Sequence, residues 1–296
     1  MIPMYHEKNT HGTPAFPLEV YSHPDRDGVF FVSQHWHEEL EWIYVEEGML
    51  NLTVGGQTLT LRPGEFSFVN SGELHEIRSL CPSLHHAIVF NPEFLDFSLY
   101  DDCQSRFIGP ITGKSLLFPA SAPGLSAQVS QAVASHLSEI VRLYHTRPSL
   151  APLSIKLHIL HILEILFETK CFLENTSSSR DEDSINRLKK VIEYIHGHYG
   201  EAIPLQSLAD ICCVSPNYFC RYFKENIGKT PVSFLNDYRI QKACQMLTES
   251  ELPISQIALL TGFDNFSYFI RKFREYKGVT PGQYRNASYG PGETGC

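Results

Sequence analysis

The stretch "LADICCVSPNYFCRYFKENIGKTPVSF" (208–234) recurs about fifty residues later as "IALLTGFDNFSYFIRKFREYKGVTPGQY" (257–284). Ala209 matches Ala258, and after one inserted residue the copies agree at a constant offset. The matching residues are Tyr218, Phe219, Arg221, Phe223, Gly228, Thr230 and Pro231 with Tyr268, Phe269, Arg271, Phe273, Gly278, Thr280 and Pro281. A repeat of this length is typical of one supersecondary unit used twice.

Each copy predicts a short helix, a turn and a second helix. In the first copy Ser215 is a suitable N-cap and Pro216 suits the first helical position; in the second copy the helix is expected to begin near Asp264 or Asn265. Helical spacing predicts a buried side in each second helix, made of Tyr218, Phe219, Tyr222 and Phe223 and of Tyr268, Phe269 and Phe273. Between the copies, 232–249 predicts one long helix.

The opposite faces of these two helices carry side chains that can contact DNA. The outward residues are Asn217, Cys220, Arg221 and Lys224 in the first copy and Ser267, Ile270, Arg271 and Arg274 in the second. Asparagine can pair with adenine, arginine can pair with guanine, and both basic types can hold phosphates. A solvated polar face is the usual alternative for a single helix, but an arginine at the same position of both copies favours DNA recognition.

The pattern "A…S-x-N-Y-F-x-R-x-F-K…G-x-T-P", followed by "I-x-x-I-A-x-x-x-G-F-x-x-x-S-Y-F-x-R-x-F-R…G-V-T-P-x-x-Y-R", resembles the AraC/XylS family of bacterial transcription regulators over about 185–286. The resemblance implies two helix-turn-helix units that place recognition helices in successive major grooves of promoter DNA. It also implies RNA polymerase as a partner if the protein is an activator. By position, the base-reading residues would be Asn217, Cys220 and Arg221 in the first unit, and Ser267, Ile270 and Arg271 in the second.

The charge distribution is compatible with DNA binding by the second half only. The chain has a net charge of −9, which argues against a general polyanion binder. Residues 184–296 contain 13 Lys and Arg against 10 Asp and Glu, whereas 1–183 contain 11 against 23. The second half is therefore locally basic, as a DNA-binding domain requires.

The first half changes from strand to helix along its length. Short segments rich in β-branched and aromatic residues between about 27 and 90, with a hairpin signal at Gly55-Gly56, predict an antiparallel barrel over about 18–95. Apolar residues then recur at helical spacing in about 124–173, namely Val133, Leu137, Ile140, Val141 and Tyr144, then Leu153, Leu157, Leu160, Leu163 and Leu166–Phe167. These two helices could cover the barrel or mediate a homodimer.

These patterns predict an α+β multidomain protein. We expect a first domain over 1–173, a linker at "ENTSSSRDED" (174–183), an all-α double helix-turn-helix domain over 184–286 and a tail at 287–296. The start of the chain has no basic stretch followed by an apolar run, and the eight cysteines form no C-x-x-C pair. A cytoplasmic protein without a membrane segment is therefore expected.

Residues 35–48, "HWHEELEWIYVEEG", follow the pattern H-x-H-x₃-E-x₆-G. This is the first motif of the cupins, so the first domain resembles a cupin, a jelly-roll β-barrel. The second cupin motif is degraded: Gly64, Gly72 and His75 fit it, but Asn70 and Ser79 replace expected residues. The resemblance implies that the barrel is a sensor domain attached to the DNA-binding domain.

The cupin motif residues His35, His37, Glu41 and His75 could bind a divalent metal, because two histidines at i and i+2 share one face of a strand. Alternatively, these side chains line a pocket for an organic ligand. The predicted effector pocket comprises His35, Trp36, His37, Glu41, Trp42, His75 and His86. The sequence thus predicts a non-enzymatic transcription regulator that senses a small polar effector, for example a sugar. The alternative is a metal-dependent cupin enzyme or a metal sensor with an appended DNA-binding domain.

Overall fold

The computed structural model describes residues 11–99, 101–120, 126–176 and 179–288. The chain divides into two units, Met1–Ser177 and Ser178–Cys296. The predicted linker, 174–183, is not free of regular structure, because one strand is Leu173–Glu174 and a helix begins at Ser179. The boundary between the two units lies within this predicted segment. A helix can begin there because charged residues such as Arg and Glu are good helix formers. The predicted tail lies outside the described residues from 289 onward.

The first unit contains two antiparallel sheets of four strands each. Their strands are β1 (Leu18–Asp25), β2 (Phe31–His35), β3 (Leu40–Glu47), β4 (Leu50–Val54), β5 (Gln57–Leu61), β6 (Phe66–Val69), β7 (His75–Ser79) and β8 (Ser83–Phe90). One sheet has the order β1-β8-β3-β6 and the other the order β2-β7-β4-β5. The predicted jelly-roll barrel is confirmed, and all eight strands lie within the predicted range of about 18–95.

The hairpin predicted at Gly55-Gly56 connects β4 to β5. Val54 pairs with Gln57, so the connection has two residues. Both glycines have positive φ, 55° and 78°. Two-residue hairpins require positive φ values, which residues other than glycine rarely adopt.

Strand β3 contributes to two separate hydrophobic cores. Ile43 and Val45 belong to a core between the two sheets. Leu40 and Trp42 instead belong to a core between the first sheet and the helices that follow the barrel. Because side chains alternate along a strand, each residue of β3 is assigned to one of these two environments.

The segment after the barrel first forms short elements. A π-helix at Gln104–Ile108 leads into α1 (Gly109–Thr112), and β9 (Leu116–Leu117) pairs with β10 (Leu173–Glu174). Two long helices follow, α2 (Ala127–Thr146) and α3 (Ala151–Glu168), within the predicted helical range. They supply buried residues to the core that contains Trp42, so they cover the first sheet.

Helix α3 buries Leu163 and Leu166 of the predicted apolar residues but not Leu153 and Leu157. Ile155, Ile159 and Ile162 are buried, whereas the exposed fractions of Leu153 and Leu157 are 60% and 48%. Helical spacing could not choose between these faces, because α3 is apolar on more than one side.

No helix among the described residues is long and apolar enough to cross a membrane.

The second unit consists of seven helices in the part of the chain that the structure describes. They are α4 (Ser179–His198), α5 (Leu205–Ile211), α6 (Pro216–Ile227), α7 (Pro231–Glu249), α8 (Ile254–Leu260), α9 (Phe266–Lys277) and α10 (Pro281–Ser288). The pairs α5–α6 and α8–α9 are the two predicted helix-turn-helix units. The predicted long connecting helix is α7, which packs Phe234 on Phe223 of α6 and shares a hydrophobic core with Phe269 and Phe273 of α9.

The two repeated helices begin and end in the same way. The Ser215 side chain accepts a hydrogen bond from the Tyr218 amide at 3.4 Å, and Asn265 accepts one from the Tyr268 amide at 2.8 Å. Gly228 and Gly278 end the helices with φ of 79° and 73°. The predicted N-caps are confirmed, and the left-handed C-caps explain the repeated glycine.

The cysteines of the described residues are unpaired. They are Cys81, Cys103, Cys171, Cys212, Cys213, Cys220 and Cys244. Burial raises the pKa of Cys244 to about 11 and also raises the pKa of Cys212. These two thiols therefore stay protonated near neutral pH and act as small apolar groups.

Candidate functional site

Three strands and one loop bring the predicted histidines and glutamate together inside the first unit. His35 at the end of β2 pairs directly with His75 at the start of β7, after a β-bulge in β2. Their ring centres are 4.1 Å apart. Glu41 lies in β3 of the other sheet, and His37 lies in the loop between β2 and β3. Residues from both sheets therefore meet in this set.

The four side chains can reach one point. One ligand atom from each of His35, His37, Glu41 and His75 lies within 4.8 Å of all the others. The Glu41 Oε2 atom is 3.0 Å from His37 Nε2 and 3.0 Å from His75 Nε2. His37, Glu41 and His75 are buried, while His35 is half-buried. The site is thus largely withdrawn from solvent.

Backbone carbonyls determine which nitrogen of each ring faces the centre. His35 Nδ1 lies 2.9 Å from the Ser33 carbonyl oxygen, and His75 Nδ1 lies 2.9 Å from that of Glu73. His37 Nδ1 lies 3.2 Å from the Glu39 carbonyl oxygen. A carbonyl can only accept, so each Nδ1 donates its hydrogen, and a neutral ring then has a lone pair on Nε2.

This arrangement fits a divalent metal. Lone pairs on Nε2 atoms and the oxygens of an ionised Glu41 are all acceptors, and acceptors at 3.0 Å require a cation or extra protons between them. His75 Nε2 is completely buried and has no hydrogen-bond partner. Backbone carbonyls that hold Nδ1 are also the usual outer contacts of metal-binding histidines. Three imidazoles and one carboxylate are ligands that Zn, Ni, Fe or Mn accept.

The electrostatics favour a neutral His35 and an ionised Glu41. Burial lowers the pKa of His35 well below its usual value, and the nearby rings of His75 and His37 lower it further. Burial alone would raise the pKa of Glu41, but His75 and His37 outweigh it and hold that pKa well below its usual range. Glu41 is therefore ionised and His35 neutral near pH 7.

Two residues of the predicted effector pocket lie on the other face of the first sheet. Trp42 is completely buried against Phe68, Phe90 and Phe118, in the core shared with the helices. His86 contacts Ser22 Oγ through Nδ1 at 2.8 Å and Glu46 Oε2 through Nε2 at 2.8 Å. Strand alternation separates both from the histidine set, so their assignment to the pocket was wrong. Trp36 is buried.

His23 and His85, which the sequence prediction omitted, lie on the face of the first sheet that borders the core between the two sheets. They pair across β1 and β8, and His85 also pairs with Val45 of the inner core. His85 is completely buried, and neither ring nitrogen has a partner. Burial lowers its pKa to about 3. The period-2 pattern of "HHAIVF" could have indicated this, because it places His85 with Ala87 and Val89 and leaves His86 on the opposite face.

Helix α6 presents most of its predicted polar residues to solvent. Asn217, Arg221 and Lys224 are exposed, whereas Cys220 is half-buried. Arg221 lies over the Tyr218 ring at 5.3 Å, and its Nε atom is 3.9 Å from Glu225 Oε1. Tyr218 was predicted to be buried, but 47% of it is exposed. Its ring instead packs against the Arg221 guanidinium at the surface.

Helix α9 repeats this arrangement. Ser267, Arg271 and Arg274 are exposed, and Ile270 packs partly against the core. Arg271 lies 5.2 Å from the Tyr268 ring centre and 3.9 Å from Glu275 Oε1. Each helix therefore holds one exposed arginine between a tyrosine and a glutamate, which leaves its guanidinium available at the surface.

Two known domain families match the parts of the chain that contain these residues. Residues 208–287 match a helix-turn-helix domain family, and residues 26–81 match the cupin domain family. The first match includes α6 and α9. The second includes all four residues of the histidine and glutamate set.

Similar proteins align over most of this chain. An uncharacterized HTH-type transcriptional regulator, YdeC of Bacillus subtilis, is 26% identical over 286 residues, covering 94% of this chain and 95% of that protein. The HTH-type transcriptional activator RhaS of Escherichia fergusonii is 25% identical over 255 residues, covering 85% and 87%. Among solved structures, ToxT of Vibrio cholerae aligns over 90% of this chain and 97% of its own, with 13% identity and a TM-score of 0.44.

Proposed function

Because this chain is an AraC-family DNA-binding transcriptional regulator with an N-terminal cupin domain, we propose that a small polar effector bound inside the barrel controls its affinity for promoter DNA. Its relatives are named as regulators, and the chain is a regulator rather than an enzyme. The proposal rests on one observation: three buried or half-buried imidazoles and Glu41 converge on one point inside the barrel.

A divalent metal would be held by His35, His37, Glu41 and His75. When bound, it would supply a Lewis-acid coordination point for an oxygen of the effector. The chain's own part is to keep each Nδ1 on a backbone carbonyl and each Nε2 directed at the centre. The ligands are therefore already oriented before binding.

The surroundings suit a ligand rich in oxygen atoms. His11 lies 5.8 Å from His37, ring to ring, and its Nδ1 atom is 2.9 Å from the Tyr21 hydroxyl. These groups can exchange hydrogen bonds with hydroxyls next to the four-residue set. A sugar or another polyhydroxylated metabolite is the first class to test.

On the DNA side, Arg221 and Arg271 would contact base edges, with Lys224 and Arg274 on phosphates. Both recognition arginines occupy equivalent positions of the repeat. Helix α7 connects the two helix-turn-helix units by packing on α6 and on α9. Asn217 and Ser267 lie near the N-termini of their helices, where side chains of a recognition helix reach the bases. Cys220 and Ile270 would contribute packing or contacts to thymine methyl groups.

The subunits would form a homodimer through α2 and α3. Exposed Leu150, Leu153 and Leu157 follow one another at i, i+3 and i+7, which forms an apolar strip along α3. A cytoplasmic location follows from the promoter as target, and RNA polymerase would be a partner if the protein activates.

A metal sensor is the second candidate, in which the ion itself is the effector. The complete four-ligand set favours it. Footprinting on the DNA that flanks its own gene tests both. We expect sequence-specific protection of this DNA. The protection should change when a polyol selected by thermal-shift screening is added, or when metal alone is added if the ion is the effector. Absence of specific protection at moderate salt, with and without metal and metabolites, would refute a ligand-controlled regulator of that promoter.

A further inference from the structure

Three histidines form a second cluster in the helical hairpin of the first unit. His136 of α2 and His158 of α3 have ring centres 5.1 Å apart, and their Nδ1 atoms are 2.8 Å apart. His161, one turn further along α3, lies 5.4 Å from His136, ring centre to ring centre. None of these residues belongs to the barrel set, and neither cupin motif includes them. Their proximity results from the packing of α2 on α3.

The spacing of His136 from each of the other two rings suits coordination of one ion, and the His161 side chain would have to move to complete the set. With Zn–N bonds of about 2.0–2.1 Å and a tetrahedral angle, the centres of two ligating imidazoles lie about 5 Å apart. Both contacts of His136, at 5.1 and 5.4 Å, are close to this value. The two Nδ1 atoms need to separate by only about half an ångström to become ligands of the same ion. His161 is 55% exposed, so its side chain has room to adjust.

The neighbouring charged groups favour a cation here. His161 Nδ1 donates to Glu164 Oε2 at 3.2 Å, which leaves the lone pair of His161 Nε2 to face a metal ion. Glu139 contributes a second carboxylate near His158, and Arg142 holds it through Nε at 2.9 Å and Nη2 at 2.7 Å. Burial and the adjacent rings lower the pKa values of His136 and His158.

We propose that His136, His158 and His161 form a second divalent transition-metal site, with water in the fourth position. Imidazole ligands suit Zn, Ni and Cu, and the absence of thiolate from the set excludes a cysteine-type zinc site. Ligands from both helices mean that the ion would fasten α2 to α3. This inference does not depend on an effector or on the barrel site.

Zinc analysis of the full-length protein after equilibrium dialysis tests it. The wild type is expected to hold about two equivalents, one per site, and His158→Ala about one. Glu41→Gln, which affects only the barrel set, is also expected to hold about one, and the double variant none. His145→Ala is the matched control, because it removes an exposed histidine that lies in α2, as His136 does, but outside the cluster. It should retain both equivalents.

The outcomes separate the two sites. If Glu41→Gln holds no zinc, or if His158→Ala holds as much as the wild type, the hairpin site is refuted. If the wild type holds one equivalent that His158→Ala loses, the hairpin site stands and the barrel site fails. Cobalt substitution in Glu41→Gln gives an independent readout: visible d–d bands without a thiolate charge-transfer band are expected. These bands should disappear with His136→Ala but persist with His145→Ala.

Discussion

The Nε2 atom of His75 lies 3.0 Å from the Oε2 atom of Glu41, yet His75 Nε2 has no hydrogen-bond partner. The short distance brings a ring nitrogen and a carboxylate oxygen together inside the barrel. His75 Nδ1 is already committed to the Glu73 carbonyl. A cation between Nε2 and Oε2 would satisfy both atoms, and this relationship makes the barrel site testable.

Replacing Glu41 with glutamine should weaken metal binding in the barrel. The amide keeps the shape of the carboxylate but loses its charge, so we expect a loss in affinity of about 100-fold or more. Competition titration with a chromogenic chelator would measure it. Glu46→Gln is the matched control, because Glu46 lies on the same strand but contacts His86. Equal affinity of the two variants would contradict the assignment of Glu41 as a ligand.

Acid should destabilise the barrel through His85. Its pKa of about 3 in the folded protein lies below the value of 6.5 for an exposed histidine. The unfolded chain therefore binds the extra proton between these two values. Stability is complete above pH 6.5 and falls as the pH decreases towards 3, by roughly 2–3 kcal/mol between pH 6.5 and 4.5.

Urea unfolding of the wild type and of His85→Leu at several pH values would measure this contribution. The variant cannot be protonated at this position, so its unfolding midpoint should fall less steeply with decreasing pH. His145→Leu serves as the control for removal of an exposed histidine. Parallel pH profiles for wild type and His85→Leu would show that His85 is not the responsible group.

Arg271 should provide sequence specificity as well as charge. Arg271→Ala is expected to cost about 1–3 kcal/mol on the operator, because a bidentate contact with a base is lost. Arg271→Lys is the control that keeps the charge but not the planar fork. Fluorescence anisotropy should find that it loses specific affinity while it keeps binding to unrelated DNA. If both variants weaken operator and unrelated DNA equally, Arg271 contacts only the backbone.

The exposed leucines of α3 should hold the dimer together. Leu153→Glu places a charge in the proposed apolar contact, so we expect the dimer dissociation constant to rise at least about 30-fold. Sedimentation equilibrium measures this change. Leu99→Glu is matched in chemistry, since Leu99 is 72% exposed and lies outside both helices. A dimer that tolerates Leu153→Glu as well as Leu99→Glu would place the interface elsewhere.

The helix-turn-helix repeat could be predicted closely because its signals are local. The N-caps Ser215 and Asn265, the C-cap glycines and the outward arginines follow from spacing within a single helix. Cys220 and Ile270, predicted to face outward, are half-buried, and Tyr218 was a further exception. Its position suggested burial, but no neighbouring helix covers it enough, and the tyrosine remains 47% exposed.

Local patterns in the chain predicted the two-domain class, the double repeat and the four candidate ligands of the barrel set, since motifs and periodicity are properties of neighbouring residues. The tertiary structure was needed to show that Trp42 and His86 face away from that set and that His85 lies on the face between the two sheets. It alone brought His136 to His158. A strand face becomes inner or outer, and two helices become neighbours, through contacts between distant parts of the chain, which local patterns do not encode.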